Sequence, residues 1–205
     1  MSTAALTARP GVLADRLLPR SSTLTDVALV VTGAAVVGLL AQVTIPLWPV
    51  PITGQTLAVM LVGGALGMRR GAAALTTYMV AGLAGVPWFA EGGGGPAMLL
   101  APSFGYVVGF IAAAAVAGWC AEREWDRRPL LAMLGFCVAT VMPFLVGVPY
   151  LAAVLGLTDM ATIAAYGITP FVVPGLVKAA LAAAAFPLAW RLIRAIDDRG
   201  VGERD

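Results

Sequence analysis

The chain has 205 residues, 60% of them hydrophobic and only 12% charged, with a net charge of +2 and a mean hydropathy of +0.91. A soluble domain carries about 25% charged residues, so this composition excludes an ordinary water-soluble fold and indicates an integral membrane protein. No histidine is present, which excludes a Ser-His-Asp triad, an HExxH zinc site and imidazole acid–base work, and no GxxxxGK[ST] phosphate loop occurs.

In chain order, residues 1–25 hold Arg9, Asp15, Arg16 and Arg20 between short apolar runs, which reads as a retained polar tail and not a signal peptide. A spanning helix needs about 20 mainly apolar residues, and residues 26–47 supply the first. The outer loop "PLWPVPITG" then has three prolines and is expected to be extended and stiff. The next apolar run is interrupted at Arg69-Arg70-Gly71, read as a tight turn between two shorter helices, 53–68 and 71–86. The loop "PWFAEGGGGPAMLLAPS" follows, and a solvated loop has little use for Met98, Leu99 and Leu100. It is expected to fold back over the bundle, with a flexible glycine linker as the plainer alternative. Spans at 104–121, 130–155 and 169–193 come next, then a polar tail at 196–205. Cys120 and Cys137 fall inside spans and read as small buried hydrophobes, without a disulfide.

Cation placement sets the orientation. Six spans put both termini, the Arg69-Arg70 turn and "EREWDRR" on one side, and all twelve arginines with them. The opposite loops, near 47–53, 87–103 and 156–168, contain no Lys or Arg. Cytoplasmic loops are rich in Lys and Arg, so both termini are expected in the cytoplasm and the chain in the cell membrane. The expected fold is an all-α, six-helix membrane bundle, one domain over 26–195 between two short tails.

Lys178 is the only lysine, and it stands inside the last span. It lies about 13 Å below the outer end of that helix at 1.5 Å per residue. Facing lipid there would cost about 2.5–3.5 kcal/mol, so it should face the bundle interior and have a partner. One partner is an acid, and only Glu91 and Asp159 lie on the outer side. The other is an anionic or strongly polar ligand arriving from outside. Tyr78, Tyr106 and Gln55 near outer helix ends could add hydrogen bonds; Trp48 and Trp88 are either flat ligand walls or membrane-belt anchors.

The stretch from "PVPITGQT" at 49–56, through "GVPWFAEGGGG", to "PSFGYVVGF" at 102–110 closely resembles the BioY family, the biotin-specific S components of energy-coupling-factor (ECF) vitamin transporters. The last helix, with "PF" ahead of Lys178 and "AAL", is similar as well, and the resemblance covers roughly 28–185. It implies a six-helix S-component bundle, biotin capture near the outer face, no enzymatic activity and no cofactor or bound metal. It also implies a transmembrane coupling subunit and two ATPases as partners, in a lipid membrane and without nucleic acid. Homo-oligomerisation stays open. The implied substrate-binding set is Lys178, Tyr106, Tyr78, Gln55, Thr53, Trp88, Glu91 and Gly94, with Ala34 and Gly38 as small docking residues on the first helix. One position departs from the family: an aspartate common three residues before the lysine is Gly175 here. Glu91 or Asp159 could substitute for it.

Other readings differ in what they leave unexplained. A solitary transporter of biotin or another small anionic vitamin shares this architecture. A lipid-modifying enzyme would want paired acids or a nucleophile and base within the spans, where one lysine stands. A purely structural assembly subunit leaves Lys178 and the aromatic-glycine loop without a use.

Overall fold

The computed structural model describes residues 11–18 and 22–202, with side chains of the last helix to residue 196. Arg9, Arg20, Arg204 and the outermost parts of both tails lie outside the described residues. A short helix α1, Leu13–Leu17, precedes α2, Thr23–Ala41, whose N-cap Ser22 accepts a hydrogen bond from the Thr25 N–H. Strands β1, Thr44–Ile45, and β2, Ile52–Thr53, form a small antiparallel hairpin that pairs Thr44 with Thr53. Helices α3, Gln55–Leu66, and α4, Met68–Leu83, are followed by 3-10 turns at Ala90–Gly92 and Pro96–Leu100. Then come α5, Phe104–Glu122, a 3-10 turn at Trp125–Arg127, and α6, Pro129–Leu155. The chain ends with α7, Met160–Gly167, and α8, Thr169–Gly202.

Among the described residues, four helical stretches are long and apolar enough to cross a membrane: Thr23–Ala41, Phe104–Glu122, Pro129–Leu155 and Met160–Ile196. With 12 and 16 residues, α3 and α4 fall short of that length. The centre of the bundle is α5, 67% buried over its apolar window against 28–33% for the other three stretches. Such burial demands small residues where backbones meet. A Cβ on Gly118 would lie 2.3 Å from the Gly67 and Met68 backbone, and one on Gly109 would lie 2.5 Å from Pro143 Cα. These glycines let α4 and α6 press directly on α5.

Several boundaries differ from the sequence reading. The first span stops at Ala41 and not at 47, because the chain turns there into the β1–β2 hairpin. The break between α3 and α4 is Gly67, at φ +85°, and not the arginine pair. Glu122 closes that turn by accepting the Met68 N–H at 2.8 Å, so Arg69 and Arg70 start α4 itself. The loop at 156–168 contains α7, capped where the Asp159 carboxylate accepts the Thr162 N–H at 2.8 Å. The last helix runs past 193, so residues 196–202 continue α8.

The end opposite the hairpin is held by polar ties between segments. Arg70 pairs with Asp15 at 2.5 Å and Asp26 at 2.8 Å. Arg127 donates to the Gly11 carbonyl at 3.2 Å, and Trp190 donates to Asp126 at 2.6 Å. These ties gather α1, the α3–α4 turn, the α5–α6 connection and α8 at one end of the bundle.

Candidate ligand-binding site

At the other end, the hairpin and the loops before α5 cover a cavity of about 790 Å³, counting its open mouth. The hairpin contributes Val50, Pro51 and Thr53, the start of α3 contributes Gln55 and Thr56, and the loops contribute Phe89, Ala90 and Met98. Helices α5, α6 and α8 supply Phe104, Tyr106, Phe110, Thr140, Phe144, Phe171 and Lys178, among others.

Three of these rings form one aromatic wall. Tyr106 meets Phe144 edge-on at 5.9 Å and Phe171 at 6.0 Å, and Phe144 and Phe171 lie 6.3 Å apart. The buried Tyr106 hydroxyl is occupied, donating to the Gly167 carbonyl at 2.8 Å, so this residue presents its ring and not its oxygen. Two helix prolines, Pro143 and Pro174, also line the cavity. A proline inside a helix removes one backbone donor, which leaves a carbonyl one turn earlier without its helical partner.

The polar groups sit at the start of α3. Gly54 caps that helix in a space where a Cβ would meet the Leu40 carbonyl oxygen at 2.6 Å. The Thr53 hydroxyl donates to Gln55 Oε1 at 2.7 Å, and Gln55 Nε2 donates to Tyr78 Oη at 2.7 Å. Both ends of the buried Gln55 amide are therefore fixed, as a buried amide requires. Lys178 reaches the same corner from α8, donating to the Thr53 carbonyl at 2.5 Å and Thr56 Oγ1 at 3.0 Å. Both acceptors are neutral. Among the described residues, no carboxylate pairs with this ammonium: Asp159 is spent on capping α7, and Glu91 is exposed. The cavity thus holds one cation, an aromatic wall and no lining acid.

A family model describing the BioY family matches residues 14–195. The chain belongs to the BioY family. The biotin transporter BioY of Rhizobium etli is 35% identical, with 77% of this chain and 89% of the relative covered. The biotin transporter BioY of Thermotoga maritima is 36% identical, covering 74% of this chain and 86% of the relative. The fold is shared with the crystal structure of an S-component for biotin from an ECF-type ABC transporter. The TM-score is 0.72 at 19% identity, over 84% of this chain and 95% of that one.

In this BioY-family chain, Thr53, Gln55, Tyr106 and Lys178 meet at the cavity, together with Gly175. Tyr78 lies behind Gln55, with no exposed surface, and Trp88 lies behind Tyr78, its ring 5.3 Å away. Glu91 and Gly94 stand outside the lining; a Cβ on Gly94 would meet the Val86 carbonyl oxygen at 2.7 Å, so that glycine serves a close chain crossing. Of the apolar loop residues, Met98 turns into the cavity while Leu99 and Leu100 remain exposed. Trp48 is 70% exposed and packs on Tyr166. Ala34 and Gly38 face inward: Ala34 is fully buried, and a Cβ on Gly38 would touch the Trp88 ring. The outward face of α2 carries Val27, Val31 and Leu39. Sequence reasoning did not single out Thr56, Thr140, Phe89 or the ring residues Phe104, Phe110, Phe144 and Phe171. Thr56, Phe89, Phe104, Phe110 and Phe171 had a signal, since they lie in the "PVPITGQT", "GVPWFAEGGGG", "PSFGYVVGF" and "PF" stretches.

Proposed function

We propose that this chain captures biotin at the outer face of the cell membrane as the substrate-binding subunit of an ECF-type transporter. The observation that carries this reading is Lys178, a cation with only neutral acceptors on the wall of an aromatic cavity. The names of the relatives supply the ligand, and the ligand suits the chemistry: a compact ring system for the aromatic wall, a ureido group for the Thr53–Gln55 corner and a carboxylate for the ammonium. A half-buried ammonium such as that of Lys178 gains most from an opposite charge.

In this reading α3 and α4 complete six crossings as two short spans, and both termini are cytoplasmic. The arginine-free loops at the cavity end and the arginine-rich opposite end support that orientation. A coupling subunit and two ATPases would supply the energy. With Ala34 and Gly38 turned inward, the surface of α2 open to a coupling subunit is the face bearing Val27, Val31 and Leu39. The test is calorimetric titration of the detergent-purified chain with biotin, against a panel of other small anionic vitamins. Saturable binding selective for biotin is the expected result; a folded chain that ignores biotin rejects the reading.

A further inference from the structure

Gln42, the C-cap residue of α2, meets four backbone groups through one side chain, its two N–H donors shared among three carbonyls. Its Nε2 faces the carbonyl oxygens of Gly38 at 3.0 Å, Trp88 at 3.2 Å and Phe89 at 3.0 Å. Its Oε1 accepts the Gly92 N–H at 3.0 Å. Three carbonyls on one side and an amide N–H on the other leave only one favourable orientation for the carboxamide.

What Gln42 holds is a strained segment. Glu91 and Gly92 take successive positive φ values, 59° and 72°, and a non-glycine residue persists there only when its surroundings hold it. Among the described residues, the segment 89–93 makes no other hydrogen bond to the rest of the chain besides those to Gln42. Phe89 is independently anchored, seated on Gly82 and edge-on to Tyr78 at 5.2 Å. Loss of Gln42 therefore frees the turn beyond Phe89 and leaves the bundle in place. Phe89 and Ala90 line the cavity.

We infer that Gln42 is a positioning residue that clamps segment 89–93 over the cavity and so sets how long a bound ligand is retained. This rests on the proposed capture of biotin in that cavity. Gln42 touches no ligand itself: it acts from α2, through the turn, on the cavity roof. It also ties the end of a lipid-facing helix to the wall of the site, so that a shift in α2 moves the roof.

The experiment compares wild type, Gln42→Ala and Gln42→Glu in detergent, with exposed Leu24→Ala as a control on the same helix. Release of radiolabelled biotin is timed after a chase with unlabelled biotin, and backbone amide exchange across 89–93 is followed in the ligand-free proteins. Gln42→Ala is expected to release biotin about tenfold faster or more, with little change in association or melting temperature. Gln42→Glu is expected to be worse, because a carboxylate then faces three carbonyl oxygens. Amide exchange in the turn should quicken about tenfold in both variants, and Leu24→Ala should match wild type. Unchanged release, or unchanged exchange, in Gln42→Ala overturns the inference. If wild type does not retain biotin, the proposed function fails and the exchange comparison alone decides the role of Gln42.

Discussion

Lys178 on α8 donates to the carbonyl oxygen of Thr53 at 2.5 Å, bridging the last helix to the residue that leads into α3. Thr53 in turn donates to Gln55, so one ammonium and one amide share a corner of the cavity. Replacing Lys178 by methionine keeps most of the side-chain volume and removes the charge. Truncating one partner of a buried charged contact costs about 2–5 kcal/mol. The biotin dissociation constant of Lys178→Met should therefore rise roughly 30- to 5,000-fold. Calorimetry on wild type and variant decides it, and equal affinity in a folded variant would remove Lys178 from the site.

Gly175 lies one turn before Lys178 on the same face and lines the same cavity. A Cβ there would meet the Thr140 methyl at 3.1 Å, a contact that needs only a few tenths of an ångström of give. Gly175→Asp would place a carboxylate at the i, i+3 spacing from the ammonium. On the proposed reading, with no lining acid, an anionic ligand supplies the compensating charge in the natural chain. Biotin methyl ester should then bind more weakly than biotin by about tenfold or more, the range of a lost charged hydrogen bond. In Gly175→Asp that preference should narrow. A competition assay with both ligands against both proteins measures it, and an unchanged ratio rejects the idea that the missing acid sets the preference.

The spans of α2, α5, α6 and α8 were legible because each is a long apolar run, and hydropathy alone finds such runs. The α3–α4 break was placed at the arginines because charge is conspicuous in an apolar stretch. Backbone geometry decides the matter instead, since Gly67 adopts the positive φ while the arginines fit the first turn of α4. Helix α7 was read as loop because 156–168 is short, although Asp159 three residues before Thr162 is a capping signal. Lys178 stood out as the lone charge. Phe144 did not, because an aromatic residue in a lipid-compatible helix looks the same whether it faces lipid or a cavity, while Phe110 and Phe171 lie in the family-like stretches but carry no assigned role there. The small-residue spacing of Ala34 and Gly38 allows close packing without saying which neighbour approaches, and in the structure both face the bundle.

Tyr78 lends its hydroxyl to Gln55 and donates it onward to the Trp88 carbonyl at 3.2 Å. Tyr78→Phe keeps the ring and leaves Gln55 Nε2 without its acceptor inside a buried site. An unsatisfied buried donor costs about 1–3 kcal/mol. The expected result is a lower melting temperature together with weaker biotin binding, because Gln55 is then free to turn in the cavity. Thermal unfolding and calorimetry on the same sample check both; a change in stability alone would separate Gln55 orientation from ligand recognition.

Gly118 marks the closest approach between α5 and the α3–α4 turn. A methyl group there would press on the Gly67 and Met68 backbone, which cannot rotate away as a side chain can. Gly118→Ala should destabilise the protein by about 1–3 kcal/mol, the usual cost of overpacking. It lies far from the cavity, so affinity in the surviving folded fraction should stay unchanged. Melting temperature and the calorimetric dissociation constant, read side by side, test that separation.

Asp126 sits in the α5–α6 connection with 2% of its surface exposed. Oδ2 accepts the Trp190 indole N–H at 2.6 Å, while Oδ1 has no hydrogen-bond partner among the described residues. Burial pushes its carboxyl above the ordinary value, opposed by the Trp190 hydrogen bond and the nearby Arg127 charge. The folded state therefore holds this proton more tightly than the unfolded chain does. For a raised carboxyl the penalty is absent below the unfolded value, 3.8, and is fully present once pH exceeds the raised folded value. Stability from this group falls as pH rises through that window and is level above it. Asp126→Asn keeps an acceptor for Trp190 and cannot ionise, so its melting temperature relative to wild type should climb across the same window and then plateau. Trp190→Phe removes an influence that lowers the carboxyl, and should extend the window to higher pH. Melting curves in detergent from pH 4 to 8 (about 0.5 unit apart) make the comparison; parallel pH profiles for wild type and Asp126→Asn would show that Asp126 does not titrate differently in the folded protein.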